Sequence, residues 1–269
     1  GHRLPDAVEI ADDFSAAVAR AELLILATPL IGFRPTLQRL RETGLLRPMV
    51  WVCKGLEAQT AKLPHQIVAE ELGEGARYGV LTGPSFAEEV ARALPTAVTL
   101  AANDGEFARQ MAVELHSPRL RIYANDDLPG AEIGGAVKNV MAIATGICDG
   151  LGLGHNARAA LMTRGLAEIA RLGVALGGQP ATFMGLAGMG DLILTCTGDL
   201  SRNRRVGIGL ALLFSDPLIG QGIQRIDIQP LPHPMELGLI TLRGIPLSRA
   251  ARQLASMIVR HLRHSPPIA

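Results

Sequence analysis

The first 128 residues alternate short apolar runs with stretches of helical spacing, and this pattern limits the folds open to the chain. Apolar runs rich in aliphatic and β-branched residues cover 22–28, 49–53, 78–81, 97–100 and 120–123. Helical spacing occurs between and beside them at 12–20, 34–41, 58–72, 86–92 and 106–115. Continuous apolar strands suit a sheet covered on both faces, and strand–helix alternation favours parallel strands joined by crossover helices. We therefore predict an α/β domain with a parallel sheet over residues 1–128.

Strand signals fade after Pro129, and alanine, leucine and glycine at helical spacing take over. The predicted helices cover 133–148, 157–176, 181–184, 191–195 and 204–213. Proline suits the first turn of a helix and glycine its end, as Pro180 and the preceding glycine pair illustrate. The pattern thus predicts an all-α domain over 129–213, with the boundary near Leu128.

Composition narrows the classes of partner. The chain has 269 residues, 48% of them hydrophobic, which is enough for two cores. A net charge of +1 gives no general attraction to nucleic acid or to a membrane surface, and no apolar run is long enough to span a bilayer. A small-molecule partner is therefore expected.

The three cysteines, Cys53, Cys148 and Cys196, are far apart in sequence. None forms a C-x-x-C pair or has a histidine at metal-binding spacing, so we expect no metal site. Buried reduced thiols are typical of a cytoplasmic protein, and no secretory signal pattern opens the chain. We therefore predict a soluble cytoplasmic protein.

Lys138 is an unusual residue because it lies in a run of small and apolar residues, 131–147, that predicts a buried helix. Its stem could simply pack while its ammonium reaches solvent. The alternative is chemical, since Asn139 follows it, Asp191 and Thr195 lie one turn apart on a second predicted helix, and basic residues follow at 201–205. Together these would supply a proton donor, a partner carboxylate, neutral hydrogen-bonding groups and a fork for an anion.

Three predicted strand ends carry further candidates at 28–30, 53–57 and 82–87. Ligands of open α/β sheets collect beyond the carboxyl ends of the strands. Gly83-Pro84-Ser85 could be only a tight turn in which Ser85 caps the next helix, although a helix start also offers free amides to a phosphate.

Several long motifs match one family in its own order. They read GAVKNV at 135–140, DGLGLGHNAR at 149–158, TRGLAE at 163–168, GMGDL at 188–192 and SRNR at 201–204. They resemble the C-terminal domain of NAD(P)-dependent glycerol-3-phosphate dehydrogenase, and the resemblance extends from about residue 3 to about residue 212. It implies a Rossmann-like domain followed by a helical substrate domain of the 6-phosphogluconate dehydrogenase C-terminal type.

The resemblance also implies an activity and its residues. The family reduces dihydroxyacetone phosphate to sn-glycerol 3-phosphate with NADH or NADPH, which feeds glycerophospholipid synthesis. The implied catalytic residues are Lys138, Asp191, Asn139 and Thr195. The implied substrate-binding residues are Lys54, Gly83, Ser85, Lys138, Asp191, Ser201, Arg202 and Asn203. The implied cofactor-binding residues are Pro29, Lys54, Ala87 and Arg202.

Plainer interpretations stand beside these roles. Asp191 could be a helix N-cap, and Arg204 and Arg205 are expected on a solvated helix face. The glycine-rich stretch 149–156 follows a helix rather than a strand, which indicates a loop for close helix packing rather than a nucleotide fingerprint. His155 is expected to be a hydrogen-bonding residue of that loop.

The chain departs from the family pattern at both ends. It has no G-x-G-x-x-G, and residues 1–5 resemble the segment after the family's second strand, so a truncated Rossmann-like domain with weak cofactor binding is expected. After Leu213 the tail 214–269 is proline-rich and divergent, with one basic amphipathic helix expected at 248–261. The alternatives are a catalytically impaired relic that binds phosphate or a partner subunit, and a superfamily member acting on a β-hydroxyacid. A homodimer is left open.

Overall fold

A computed structural model of the chain describes residues 6–73 and 75–215, with side chains as far as Ala211. The predicted divergent tail, including the helix at 248–261, lies outside the described residues beyond Ser215. The described residues belong to one compact unit.

The described residues form a five-stranded sheet in the order β1-β2-β3-β4-β5. The strands are β1 (Leu24–Leu26), β2 (Met49–Trp51), β3 (Tyr78–Thr82), β4 (Thr96–Ala102) and β5 (Leu120–Asn125). All five were predicted within a few residues. The first three are parallel, as expected, with Leu26 opposite Trp51 and Trp51 opposite Val80.

The orientation of β4 corrects the prediction that the strands are parallel throughout. β4 pairs antiparallel with β3, with Val80 opposite Ala101, and β5 is parallel to β4. The connection between β3 and β4 contains only the short helix α4 (Ala87–Ala91). Parallel neighbours need a crossover connection, whereas this one returns to the same edge of the sheet.

Helices cover both faces of the sheet. They are α1 (Phe14–Arg20), α2 (Phe33–Glu42), α3 (Pro64–Leu72) and α5 (Gly105–Glu114). Successive residues of β2 point to opposite faces, so Trp51 packs in one core with Phe33 and Ile67, while Val50 packs in another with Phe107. The central strands are therefore buried on both sides, as their continuous apolar sequence predicted.

The second half is helical, as predicted. Its elements are α6 (Leu128–Gly150), α7 (Gly154–Ala175), α8 (Pro180–Met184), a π-helical turn (Leu186–Gly190), α9 (Asp191–Thr197) and α10 (Arg202–Ser215). Asp127 caps α6 by accepting a hydrogen bond from Gly130 N at 2.9 Å. The same carboxylate accepts one from Gln179 N at 2.7 Å, which ties α8 to the start of α6.

Glycines set how closely α6 approaches α10. A Cβ added at Gly150 would lie 2.6 Å from the Cβ of Ala211, and one at Gly146 would overlap the carbonyl oxygen of Arg204. The loop predicted at 149–156 is shorter in the structure, because α6 continues to Gly150 and α7 begins at Gly154. His155 therefore lies in the first turn of α7 and not in a loop, and its Nδ1 is hydrogen-bonded with Arg158 Nη2 at 2.8 Å.

Two further expectations concern the cysteines and the membrane. Cys148 and Cys196 are buried free thiols, and Cys53 is a partly buried one. Burial raises the pKa of Cys53 to about 12. Among the described residues, no helix combines the length and the apolar character needed to cross a bilayer.

Candidate active site

Two lysines converge on one buried carboxylate at the junction of the sheet and the helical layer. Asp191 is 1% exposed; its Oδ1 binds Lys138 Nζ and its Oδ2 binds Lys54 Nζ at 2.7 Å. The whole chain contains three lysines, Lys54, Lys62 and Lys138. Two of the three therefore share a single acidic partner, an arrangement that random surface pairing would not produce.

The environment of Lys138 makes its proton easy to transfer. Its side chain is 10% exposed, and burial lowers its pKa from 10.5 to about 8. The positive charge of Lys54 lowers this pKa further, whereas Asp191 raises it. The interpretation that the ammonium simply reaches solvent is thus wrong, because Nζ points at a buried carboxylate.

Close backbone packing brings Asp191 to α6. The π-helical turn before α9 approaches α6 so tightly that a Cβ added at Gly134 would lie 2.5 Å from the carbonyl oxygen of Ala187. π-helical turns often occur at functional sites. The N-cap of α9 is Gly190, so Asp191 is the first helical residue and its carboxylate binds lysines instead of capping.

The ends of β2 and β3 supply Lys54 and the Gly83–Ser85 turn. Lys54 Nζ also donates to the carbonyl oxygen of Gly83 at 3.3 Å, and Ser85 Oγ donates to the same oxygen at 3.1 Å. The N-cap of α4 is Phe86. The alternative that Ser85 caps this helix is therefore wrong, and its hydroxyl stays on the lysine side of the turn.

The Ser201–Asn203 segment lies at the start of α10. Asn203 Nδ2 donates to Asn139 Oδ1 at 3.0 Å, which joins this segment to the residue after Lys138. Ser201 is buried, and its Oγ accepts a hydrogen bond from Arg204 N at 3.2 Å. Arg202 is exposed, and within the part of the chain that the structure describes its guanidinium makes no ion pair. Thr195 is buried one turn after Asp191.

Arg204 corrects a prediction. Its side chain is 13% exposed, and it binds Asp149 at 2.8 Å and Asp199 at 3.1 Å. Arg158 binds Asp149 from α7 at 3.1 Å. Arg204 therefore joins α10 to α6 inside the protein. The prediction of a solvated side chain was wrong because the sequence shows the charge of Arg204 but not its partners in the fold. Arg205 is exposed, as predicted.

Three of the four predicted cofactor residues, Pro29, Lys54 and Ala87, follow the carboxyl ends of β1, β2 and β3, whereas Arg202 begins α10. Pro29 ends the β1 segment and precedes a short 3₁₀ turn, Leu30–Gly32. A Cβ added at Gly55 would lie 3.1 Å from Leu30, so this turn packs beside Lys54. Ala87 is exposed at the first position of α4. Thr28 Oγ1 is buried and has no hydrogen-bond partner among the described residues.

Sequence reasoning gave no individual role to two polar residues at this junction, although Thr82 lies within the candidate stretch 82–87. Thr82 is 1% exposed at the end of β3, and its hydroxyl has no hydrogen-bond partner within the described residues. Glu132 is 4% exposed on α6 and binds His65. A carboxylate inside an apolar helix is the same kind of signal that singled out Lys138, and it would have found Glu132.

Two family models match long stretches of the chain. Residues 1–108 match the family described as NAD-dependent glycerol-3-phosphate dehydrogenase N-terminus, and residues 127–255 match its C-terminus. The second match continues past Leu213, where the resemblance of motifs ended.

Individual relatives carry the same name. The glycerol-3-phosphate dehydrogenase [NAD(P)+] of Dechloromonas aromatica is 68% identical over 245 residues, which cover 91% of this chain and 72% of that protein. That of Nitrosospira multiformis is 57% identical, covering 90% and 75%.

Solved structures of that enzyme have the same fold. The glycerol-3-phosphate dehydrogenase of Coxiella burnetii has a TM-score of 0.74 at 44% identity, covering 78% of this chain and 65% of that one. The enzyme of Saccharomyces cerevisiae has a TM-score of 0.72 at 28% identity, covering 82% and 68%. From the two family matches and these relatives together, the chain belongs to the NAD-dependent glycerol-3-phosphate dehydrogenase family.

Proposed function

We propose that this chain interconverts dihydroxyacetone phosphate and sn-glycerol 3-phosphate with NADH or NADPH. The observation that carries the proposal is the convergence of Lys138 and Lys54 on the buried Asp191. Family membership favours this activity over the impaired relic and over a β-hydroxyacid enzyme.

Lys138 is the proposed proton donor. Reduction of the carbonyl leaves negative charge on its oxygen, and a cation holding a transferable proton stabilises that charge and then neutralises it. A pKa of about 8 keeps Lys138 protonated at neutral pH yet lets it release the proton at small cost. In the oxidation direction the neutral amine takes the proton from the substrate hydroxyl.

Asp191 and Lys54 set the position and the charge of Lys138. The carboxylate holds Lys138 Nζ in one position and keeps it charged, while Lys54 presents a second positive charge to the developing oxyanion. Asn139 and Thr195 are the neutral groups beside them, proposed to hydrogen-bond the substrate or hold the lysine. Gly83 and Ser85 would contact the substrate from the sheet side.

The start of α10 is the proposed phosphate site. A helix N-terminus of this 14-residue helix offers free amides to an anion, and Arg202 adds a planar guanidinium that fits two phosphate oxygens. Ser201 and Asn203 flank it. Arg202 is exposed, so its guanidinium is accessible to a charged ligand.

The residues at the sheet edge fit a nicotinamide cofactor. Pro29, Lys54 and Ala87 would hold it, together with Arg202 at the start of α10. The Thr28 hydroxyl, which has no partner among the described residues, would provide a hydrogen bond at the strand end. NAD(P)H, when bound, supplies the hydride for the carbonyl carbon. Both NADH and NADPH remain candidates.

We also propose a cytoplasmic protein that self-associates as a homodimer. The free thiols of Cys53, Cys148 and Cys196 support a reducing compartment. Val140, Val174 and Val206, on three helices of the second half, expose 64%, 46% and 53% of their surface, and an apolar contact between subunits would bury side chains of this kind. Sedimentation equilibrium would show a dimer mass if this is correct and a monomer mass if it is not.

Steady-state kinetics test the proposed reaction. Wild type should oxidise NADH or NADPH only when dihydroxyacetone phosphate is present, and Lys138→Ala should lose roughly 10² to 10⁴ in rate while binding cofactor almost normally. Lys62→Ala is the matched control, since it removes a 35%-exposed lysine paired with Glu70 away from Asp191. Phosphate binding without turnover by wild type would favour the relic instead.

A further inference from the structure

Glu132 is a buried carboxylate that the proposed reaction does not use. Its backbone lies in α6, and its side chain accepts a hydrogen bond from His65 N at 3.0 Å while also contacting His65 Nδ1. His65 is the second residue of α3, which begins at Pro64. A carboxylate of the helical half therefore holds the first turn of α3, a helix that packs against the sheet.

Three residues of α6 at intervals of three share one helix face. They are Glu132, Gly135 and Lys138, because residues three apart lie one above the other on a helix. Gly135 is where the Lys54 stem lies: a Cβ added there would be 3.5 Å from both Cγ and Cδ of Lys54 and 3.0 Å from Thr82 Oγ1. One face of α6 thus holds His65, cradles the Lys54 stem and carries Lys138.

The chain between Lys54 and His65 is a stiff link rather than a free loop. Glu57 N donates to Lys62 O at 2.9 Å, and Ala61 N donates to Glu57 O at 2.8 Å, which closes the segment 57–62 into a turn. Arg34 grips the Glu57 carboxylate with two bonds, at 2.7 and 2.8 Å. The segment that joins Lys54 to His65 is therefore folded and anchored.

A narrow cavity connects the two ends directly. Lys54, Gly55, Pro64, Glu132 and Gly135 all line it, and it has no room for a water molecule. Glu132 is 4% exposed, and burial of this depth makes an unpaired carboxylate costly.

We propose that Glu132 is a positioning residue which, by holding His65, fixes the segment from Lys54 to His65 against α6 so that Lys54 reaches Asp191. Its effect on turnover rests on the proposed function. Its effect on the position of Lys54 does not.

The groups around Glu132 define what a substitution changes. His65 faces it from α3, Cys53 from the end of β2 and Tyr78 from β3, and the Trp51 indole lies beside it without reaching hydrogen-bond geometry. Burial raises the pKa of Glu132, and His65 opposes the rise. Around Lys138, by contrast, the charged groups are Lys54 and Asp191, with the Cys196 thiol nearby.

The test measures Lys138 by NMR in the protein without substrate. With only three lysines, lysine labelled with ¹³C and ¹⁵N gives three side-chain signals, assigned by Lys→Arg variants. Glu132→Gln should release Lys54 from Asp191, and because Lys54 lowers the pKa of Lys138, that pKa should rise by roughly one unit.

Asp149→Asn is the matched control. Asp149 is another acidic residue of α6 with a largely buried side chain, 15% exposed, but it binds Arg158 and Arg204 rather than α3. This substitution should lower stability without changing the titration of Lys138. An unchanged Lys138 titration in Glu132→Gln, or an equal change in Asp149→Asn, would overturn the positioning role.

Two outcomes need separate variants and assays. If Glu132→Gln does not fold, His65→Ala decides, because it removes the ring contact but keeps the backbone N–H to Glu132. In parallel, kcat is measured for wild type and Glu132→Gln. A wild type without turnover whose Lys138 pKa still responds to Glu132→Gln would refute the proposed function and keep the positioning role. An active wild type in which Glu132→Gln leaves the Lys138 pKa unchanged would keep the proposed function and refute the positioning role.

Discussion

Replacing Lys138 by methionine should make the protein more stable while removing its activity. Burial lowers the pKa of Lys138 from 10.5 to about 8, so keeping its ammonium charged in the folded state costs about 3 kcal/mol relative to the unfolded chain. This net value already includes the favourable Asp191 contact. Methionine fills a similar volume without the charge, and Asp191 keeps Lys54 as its partner.

The extra stability of Lys138→Met over wild type should decrease as pH rises. Below about pH 8 the lysine is charged in both folded and unfolded protein, and the full cost of about 3 kcal/mol is present. Between about pH 8 and 10.5 the folded protein binds fewer protons than the unfolded chain, so wild-type stability rises with pH. The advantage of Lys138→Met should therefore shrink across this window.

Urea denaturation of both proteins at pH 7 and pH 9.5 measures this difference. We expect a higher midpoint for Lys138→Met at pH 7, equivalent to about 3 kcal/mol, and a clearly smaller difference at pH 9.5. Lys62→Met serves as the control and should show no pH-dependent gain. The reasoning would be refuted if Lys138→Met were less stable than wild type at pH 7. It would also be refuted if the stability difference between the two proteins were the same at both pH values.

Two further predictions concern catalysis. In carbonyl reduction kcat should fall as pH rises through about 8, because Lys138 must be protonated to donate its proton. In alcohol oxidation kcat should rise over the same range, because Lys138 must be neutral to accept one. The same pH profile in both directions would contradict this role of Lys138. With NADH or NADPH at saturating concentration, Arg202→Lys should raise the KM for dihydroxyacetone phosphate, because a point charge replaces a two-bond fork. The reaction of dihydroxyacetone, which has no phosphate, should then be unchanged, and equal losses for both compounds would exclude a phosphate role.

Local pattern was enough to predict most elements of the fold. The five strands and the helices from α1 to α10 follow from apolar runs and helical spacing, because those patterns report burial of a face. The direction of β4 did not follow, since it depends on whether the segment 83–95 crosses the sheet or returns, and strand composition is the same in both cases.

The candidate site was predicted as residue types and not as contacts. Lys138 and Asp191 were identifiable because charges are rare in apolar surroundings, and the structure pairs them. That Lys54 would share the same carboxylate was not visible, because 137 residues separate it from Asp191. For the same reason Arg204 was taken as a solvated residue, although Asp149 binds it from 55 residues away.

The most direct test of the central claim follows the hydride and its dependence on Lys138. Wild type is incubated with dihydroxyacetone phosphate and with NADH or NADPH carrying deuterium at the reactive C4 position, and the product is analysed by mass spectrometry and NMR. The proposed reaction predicts one deuterium at C2 of sn-glycerol 3-phosphate, and almost no labelled product from Lys138→Met under the same conditions. Unlabelled product, no product from wild type, or full labelling by Lys138→Met would contradict it.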